Sequence, residues 1–102
     1  MEVTVTGKHI DITDPIRQYA QEKVGRLTKF YDRITSVQAI ADRYDSHRYQ
    51  VELVAHVEGH EHFVATAQND DLYACLDETV DKMGRQLHDY KDKLRNHKHA
   101  GD

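Results

Sequence analysis

The segment between residues 70 and 96 constrains the fold more than any other part of the chain. Its apolar side chains recur every three or four positions, at Leu72, Leu76, Val80, Met83, Leu87, Tyr90 and Leu94. This spacing predicts one amphipathic helix, roughly 40 Å long at about 1.5 Å per residue. Asn69 or Asp70 is expected to cap its first amides, and Asp71 adds negative charge where the helix dipole favours it. A single helix cannot bury such a stripe, so the preceding residues must supply an apolar surface.

The preceding residues predict that surface as a four-stranded sheet. Apolar and polar residues alternate over residues 1–6, 34–44, 49–57 and 63–67, which is typical of strands with one buried face. Between the first two strands, Thr13 and Pro15 begin a helix whose apolar positions continue to Tyr31. Gly25 inside this helix is interpreted as a point of close packing. The order β-α-β-β-β-α predicts an α+β fold in which both helices pack on one face of the sheet.

Length and composition indicate one globular domain and exclude several classes of protein. The chain has 102 residues, of which 38% are hydrophobic and 31% charged. No apolar run approaches the roughly 20 residues that a membrane span needs, and the first residues do not resemble a secretion signal. The single cysteine, Cys75, excludes an internal disulfide and is typical of a reducing cytoplasm. The net charge of −4 gives no overall indication of nucleic-acid binding, although a local basic face is compatible with it.

Residues that could support metal binding or catalysis do not form a recognisable motif. The 8 histidines include His56, His60 and His62 around one hairpin, but the sequence lacks the ligand spacings of zinc sites. We therefore interpret them as surface histidines, and Cys75 as a small buried hydrophobic residue. No nucleophile elbow and no phosphate-binding glycine loop is present. We expect no enzymatic activity, no metal, no cofactor and no small-molecule substrate.

Cations on the two helices are the remaining functional signal. If the helices lie side by side, two rows of cations could face each other and form a basic strip that binds RNA phosphates. The alternative is two solvated faces with ordinary ion pairs one helical turn apart, such as Glu78–Lys82, Asp81–Arg85 and Asp89–Lys93. The residue pattern leaves both interpretations open. The candidate RNA-binding residues are Lys23, Arg26, Lys29, Arg33, Lys82, Arg85 and Lys91.

The chain also resembles the ribosome hibernation promoting factor family, which is also described as ribosome-associated inhibitors or sigma-54 modulation proteins. The first part of the resemblance is Thr6-Gly7, Ile12-Thr13-Asp14, Arg17, Lys23, Leu27 and Tyr31-Asp32-Arg33-Ile34. The long helix resembles the family at Asp71-Leu72-Tyr73-Ala74, Asp77, Asp81-Lys82, Arg85-Gln86-Leu87 and Lys91-Asp92-Lys93-Leu94. Asp89 departs from it, because close relatives tend to have a lysine there.

The resemblance implies both a fold and a function. The fold is the same β-α-β-β-β-α arrangement, similar in layout to double-stranded RNA-binding domains. The function is binding to the small ribosomal subunit in the mRNA and tRNA channel, at the A and P sites, which blocks translation and preserves idle ribosomes during stress or stationary phase. The seven candidate cations would contact ribosomal RNA. A transcription-factor-modulating interaction module and a generic double-stranded RNA binder remain alternatives.

The resemblance also implies an organisation. Residues 1–96 are expected to form the ribosome-binding domain and residues 97–102 a short flexible tail. The chain resembles the short form of the family, which is expected to be cytoplasmic and monomeric when free. The brief tail favours promotion of ribosome dimers over opposition to them.

Overall fold

The computed structural model describes the backbone of residues 1–100 and the side chains of residues 1–95, and it confirms the predicted element order. A short 3-10 helix, Arg26–Lys29, follows the first α-helix directly. No helix of the described chain is long and apolar enough to cross a membrane. The other elements are β1 (Glu2–Lys8), α1 (Asp14–Gly25), β2 (Ile34–Asp45), β3 (Arg48–Val57), β4 (Phe63–Asn69) and α2 (Leu72–Ala100).

The four strands form one mixed sheet in the order β1-β2-β3-β4. β1 pairs in parallel with β2, and the other neighbours are antiparallel. Register places Val5, Ala39, Leu53 and Ala65 in one row across all four strands, and each of these side chains is buried. Helix α1 packs over β1, and α2 packs over β3 and β4. The predicted sheet with two helices on one face is therefore confirmed.

Helix α2 supplies the largest share of the helical core. Leu76, Met83 and Leu87 are almost completely buried against the sheet. Thr79 lies among them, and its hydroxyl donates to the Cys75 carbonyl at 2.7 Å and lies 3.5 Å from the Val51 carbonyl. This bond satisfies a hydroxyl whose burial without a partner would cost free energy.

The start of each helix shows which residue caps it. Thr13 caps α1 as predicted, since its hydroxyl accepts from the Ile16 amide at 3.4 Å. The predicted cap of α2 was wrong, because the Asp71 carboxylate accepts from the Tyr73 amide at 2.9 Å. Asn69 instead accepts from the Asp71 amide, just before the helix. The sequence could not distinguish three adjacent residues that all cap well.

The helix ends also differ from the prediction. α1 stops at Gly25, where a Cβ would meet nothing within 4 Å, so the interpretation of Gly25 as a close-packing point was wrong. The tighter 3-10 turn still directs Leu27 into the core, which explains why the apolar pattern continued. The backbone of α2 continues to Ala100, beyond the predicted end at residue 96. Residues 101–102 lie outside the described chain, and the division into domain and tail stays a prediction.

Candidate nucleic-acid interface

The outer surface of the helix pair carries a groove between α1 with its 3-10 extension and α2, which we call the helix groove. It consists of two adjoining cavities of about 300 and 380 Å³, and both are lined by Phe30 and Asp81. The first cavity is lined in addition by Lys23, Arg26, Lys29, Asp77 and Val80. The second is lined in addition by Gly84, Arg85, His88 and Asp89.

A cluster around Asp77 ties the two helices together at one end of the groove. The Tyr19 hydroxyl donates to the Asp77 carboxylate at 2.6 Å, and the Lys23 ammonium lies 3.6 Å from the same carboxylate. The bond to Asp77, with burial as the second cause, raises the pKa of Tyr19 to about 12. Lys23 also lies 5.5 Å from the centre of the Tyr19 ring. Lys23 therefore has a structural role between the helices, whatever else it binds.

The other candidate cations divide into paired and unpaired groups. Arg26 donates to the Glu22 carboxylate at 3.1 Å, an exposed pair one helical turn apart. The remaining groove cations, Lys29 and Arg85, are exposed and have no hydrogen bond or ion pair with any side chain or backbone group in residues 1–95. In particular, the predicted Asp81–Arg85 pair is not formed in that range. These two cations are therefore available to an external anion.

Lys82 does not belong to the helix groove. Its ammonium donates to the Thr66 carbonyl at 2.8 Å, and Gln86 donates to the Val64 carbonyl at 2.8 Å. Both carbonyls belong to β4, the last strand of the sheet. Residues 82 and 85 lie about 60° apart around a helix of 3.6 residues per turn, and their side chains diverge from there, Lys82 toward β4 and Arg85 toward the helix groove. The expectation that all cations of the two rows face each other across the helix pair was therefore wrong for Lys82.

Lys82 and Gln86 instead cover the free edge of the sheet. An edge strand exposes unpaired carbonyls that can pair with another chain, and lysine side chains at such edges discourage this. The predicted Glu78–Lys82 pair is replaced as well, because Glu78 accepts from the Asn69 amide group at 2.7 Å.

Arg33 and Lys91 are exposed but do not line the groove. Arg33 lies in the turn before β2, where its carbonyl accepts from the Glu58 amide. Lys91 lies further along α2. Neither side chain has a hydrogen bond or ion pair within residues 1–95. The structure therefore brings Lys23, Arg26, Lys29 and Arg85 together and leaves Arg33 and Lys91 as separate exposed cations.

Sequence reasoning missed the residues that make the groove chemically mixed. Phe30 lies outside the apolar stripe and keeps 38% of its surface exposed, although it is large and hydrophobic. Asp77 and Asp81 were not among the candidate residues, but both line the groove. The available signal was the helical position of Asp77 and Asp81, which share a face with Arg85 and His88.

The histidines show ring contacts. His60 stacks on Phe63 with the ring centres 4.6 Å apart, and the His56 and His62 rings lie 5.6 Å apart. Within the described residues there is no group of three or more histidine, cysteine or acidic side chains that could hold a metal ion.

Burial raises the pKa of the Cys75 thiol, which disfavours the nucleophilic thiolate.

These features define a class of protein: a small α+β domain whose helical face carries a groove with cations that are unpaired within residues 1–95. A model of the family described as "Sigma 54 modulation protein / S30EA ribosomal protein" matches residues 3–95. The chain belongs to this family. It is 42% identical over 93 residues to a ribosome hibernation promoting factor of Azotobacter vinelandii, a match that covers 91% of this chain and 85% of that protein.

Other relatives agree over similar lengths. A ribosome hibernation promoting factor of Escherichia coli is 33% identical over 97 residues, covering 95% of this chain and all of that protein (100%). A ribosomal subunit interface protein from Coxiella burnetii superimposes with a TM-score of 0.82 at 26% identity, over 90% of this chain and 99% of that one. The N-terminal domain of Thermus thermophilus Protein Y shares the fold, with a TM-score of 0.79 at 24% identity, over 88% of this chain and 99% of that one.

Proposed function

We propose that this protein is a ribosome hibernation factor that binds the small ribosomal subunit in the mRNA and tRNA channel. Occupation of the A and P sites there would block translation and preserve inactive ribosomes during stress or stationary phase. The family and the names of the relatives support the hibernation role. The proposal places the protein in the cytoplasm as a monomer when free, and it includes neither catalysis nor a cofactor.

One observation carries the assignment of the binding surface: Lys29 and Arg85 line opposite sides of one groove and are unpaired within residues 1–95. Phosphate groups of RNA are the anions that such cations bind, and contact with them releases counterions. Arg33 and Lys91 extend the set of exposed cations beyond the groove. Lys23 and Arg26 add positive potential, although each already has a carboxylate partner.

Co-sedimentation with purified small ribosomal subunits, at about 50 and 200 mM salt, tests this proposal. The test variant is Lys29→Glu with Arg85→Glu. The matched control is Lys8→Glu with Arg48→Glu, which changes the net charge equally at exposed cations away from the groove. We expect wild type and control to pellet with the subunits, more weakly at high salt, and the test variant to stay in the supernatant. Equal pelleting of the two variants would contradict the assignment to the groove.

A second candidate function is modulation of a transcription factor by direct protein contact, because the family description includes sigma-54 modulation. The uncovered face of the sheet would be available for it. This function predicts partner capture that survives ribonuclease and changes little with salt. A generic double-stranded RNA binder would instead bind free duplex RNA as tightly as ribosomal subunits, and the acidic net charge of −4 disfavours it.

A further inference from the structure

The centre of the helix groove holds an aromatic ring that does not serve the core. Phe30 follows the 3-10 helix, lines both cavities of the groove and remains 38% exposed. The ring keeps an apolar area in contact with water beside the cations of the groove. Aromatic rings beside cations are the arrangement by which proteins bind unpaired bases of RNA, through stacking and phosphate contacts together.

Gly84 of α2 fixes the position of this ring. A Cβ built at Gly84 would lie 2.9 Å from Cε2 of Phe30, 3.2 Å from Cδ2 and 3.3 Å from Cζ. The ring therefore packs directly on the helix backbone, and a Cβ at residue 84 would require the ring to shift. Glycine inside a helix is destabilising relative to alanine, and here it leaves the space that the Phe30 ring occupies.

Asp81 adds a hydrogen-bond acceptor to the same place. It is exposed, lines both cavities together with Phe30, and has no ion pair or hydrogen bond within residues 1–95. A bare carboxylate repels phosphate, so it opposes a groove that binds only the RNA backbone. It suits a ligand that also brings hydrogen-bond donors, because an ionised carboxylate only accepts.

We infer that the helix groove binds an unpaired guanine nucleotide of RNA. The base stacks on Phe30, its N1–H and N2 amino group donate to the two oxygens of Asp81, and Lys29 and Arg85 hold the flanking phosphates. Guanine is the RNA base with two adjacent donors on its Watson–Crick edge, which matches a carboxylate. The inference rests on the proposed RNA-binding function and specifies which base that site prefers.

Fluorescence anisotropy with labelled single-stranded RNA tests the base preference. The probes are heptauridylates whose central base is guanine, inosine or adenine. Inosine lacks only the N2 amino group, so it removes one of the two bonds to Asp81. We expect wild type to bind the inosine probe about tenfold more weakly than the guanine probe, as for one hydrogen bond to a charged group. Equal affinity for the three probes would overturn the inference.

Three variants separate the parts of the site. Asp81→Asn should bind the adenine probe at least as tightly as wild type, because a negative charge is removed, but it should lose the preference for guanine. Phe30→Leu should weaken all probes about tenfold, the loss expected for one stacked base. Gly84→Ala should weaken them similarly by displacing the ring while leaving the helix as stable or more stable. Tyr44→Leu, another exposed aromatic residue, is the matched control and should change nothing.

Co-sedimentation with small ribosomal subunits separates failure of this inference from failure of the proposed function. If the protein pellets with subunits through Lys29 and Arg85 but shows no guanine preference, the inference is wrong and the function stands. If it neither pellets nor binds any probe, both are wrong. Retention of the guanine preference in Asp81→Asn would also overturn the inference, since the preference would then come from another group.

Discussion

Lys82 and Arg85 are three residues apart on α2, and the structure predicts that replacing them affects two different properties, stability for Lys82 and ribosome binding for Arg85. Methionine keeps most of the unbranched apolar stem of both side chains and removes the charge. Lys82→Met loses the 2.8 Å bond to the Thr66 carbonyl at the free edge of β4. Arg85→Met loses no bond within residues 1–95 but removes an unpaired cation from the helix groove. We therefore expect stability to change in the first variant and binding in the second.

The size of both effects, on stability and on binding, follows from the exposure of the Lys82 and Arg85 side chains. The Lys82 bond is exposed, so its loss should cost about 0.5–1 kcal/mol, at the lower end for hydrogen bonds in proteins. For a domain of this size that lowers the Tm by about 2–8 °C. A single exposed ion pair contributes about 1 kcal/mol at most, so Arg85→Met should weaken subunit binding about fivefold. It should also reduce the slope of log affinity against log salt by about one.

Thermal unfolding followed by circular dichroism gives the stability of both variants. The salt dependence of subunit binding shows how many cation–phosphate contacts each variant has lost. We expect Lys82→Met to keep the wild-type salt slope and Arg85→Met to keep the wild-type Tm. The reasoning is refuted if Lys82→Met loses as much affinity and salt dependence as Arg85→Met. That result would return Lys82 to the RNA-binding surface and leave its contact with β4 incidental.

Three further predictions concern the helix pair and the core. The pKa of Tyr19 is raised to about 12, so its stabilising bond to Asp77 is complete below pH 10 and is lost as pH rises toward 12. Asp77→Asn should lower the titration midpoint of the Tyr19 hydroxyl toward 10 in a spectrophotometric titration. An unchanged midpoint would contradict the bond. Cys75 is buried with a raised pKa, so a thiol reagent should label it fully only after denaturation; rapid native labelling would disprove its burial. Leu53→Ala should lower the free energy of unfolding by about 2–5 kcal/mol in denaturant titrations, and a loss below about 1 would contradict its central place in the core.

The sheet and the long helix could be predicted because their patterns extend over many residues. Alternation at Val51, Leu53, Ala55 and Val57 and the three-to-four spacing along α2 each repeat one signal several times. The structure confirms the buried face that they predicted. Helix ends could not be predicted equally well, because Asn69, Asp70 and Asp71 are all good caps and only tertiary packing selects among them.

The groove was predicted in part. The sequence identified Lys29 and Arg85, but helical spacing alone could not show which side of α2 each cation takes once the helix is packed. Lys82 turned toward β4 because the exposed Thr66 carbonyl is within its reach. Gly84 and Phe30 were missed because their contact joins residues far apart in sequence, which no local pattern records.

The central claim is that the groove cations hold this protein on the small ribosomal subunit. Its most direct test is co-sedimentation of Lys29→Glu/Arg85→Glu with purified small subunits, beside wild type and the charge-matched control Lys8→Glu/Arg48→Glu. We predict that wild type and control pellet and weaken as salt increases, while the groove variant remains folded in the supernatant. A groove variant that pellets as well as the control would contradict the claim.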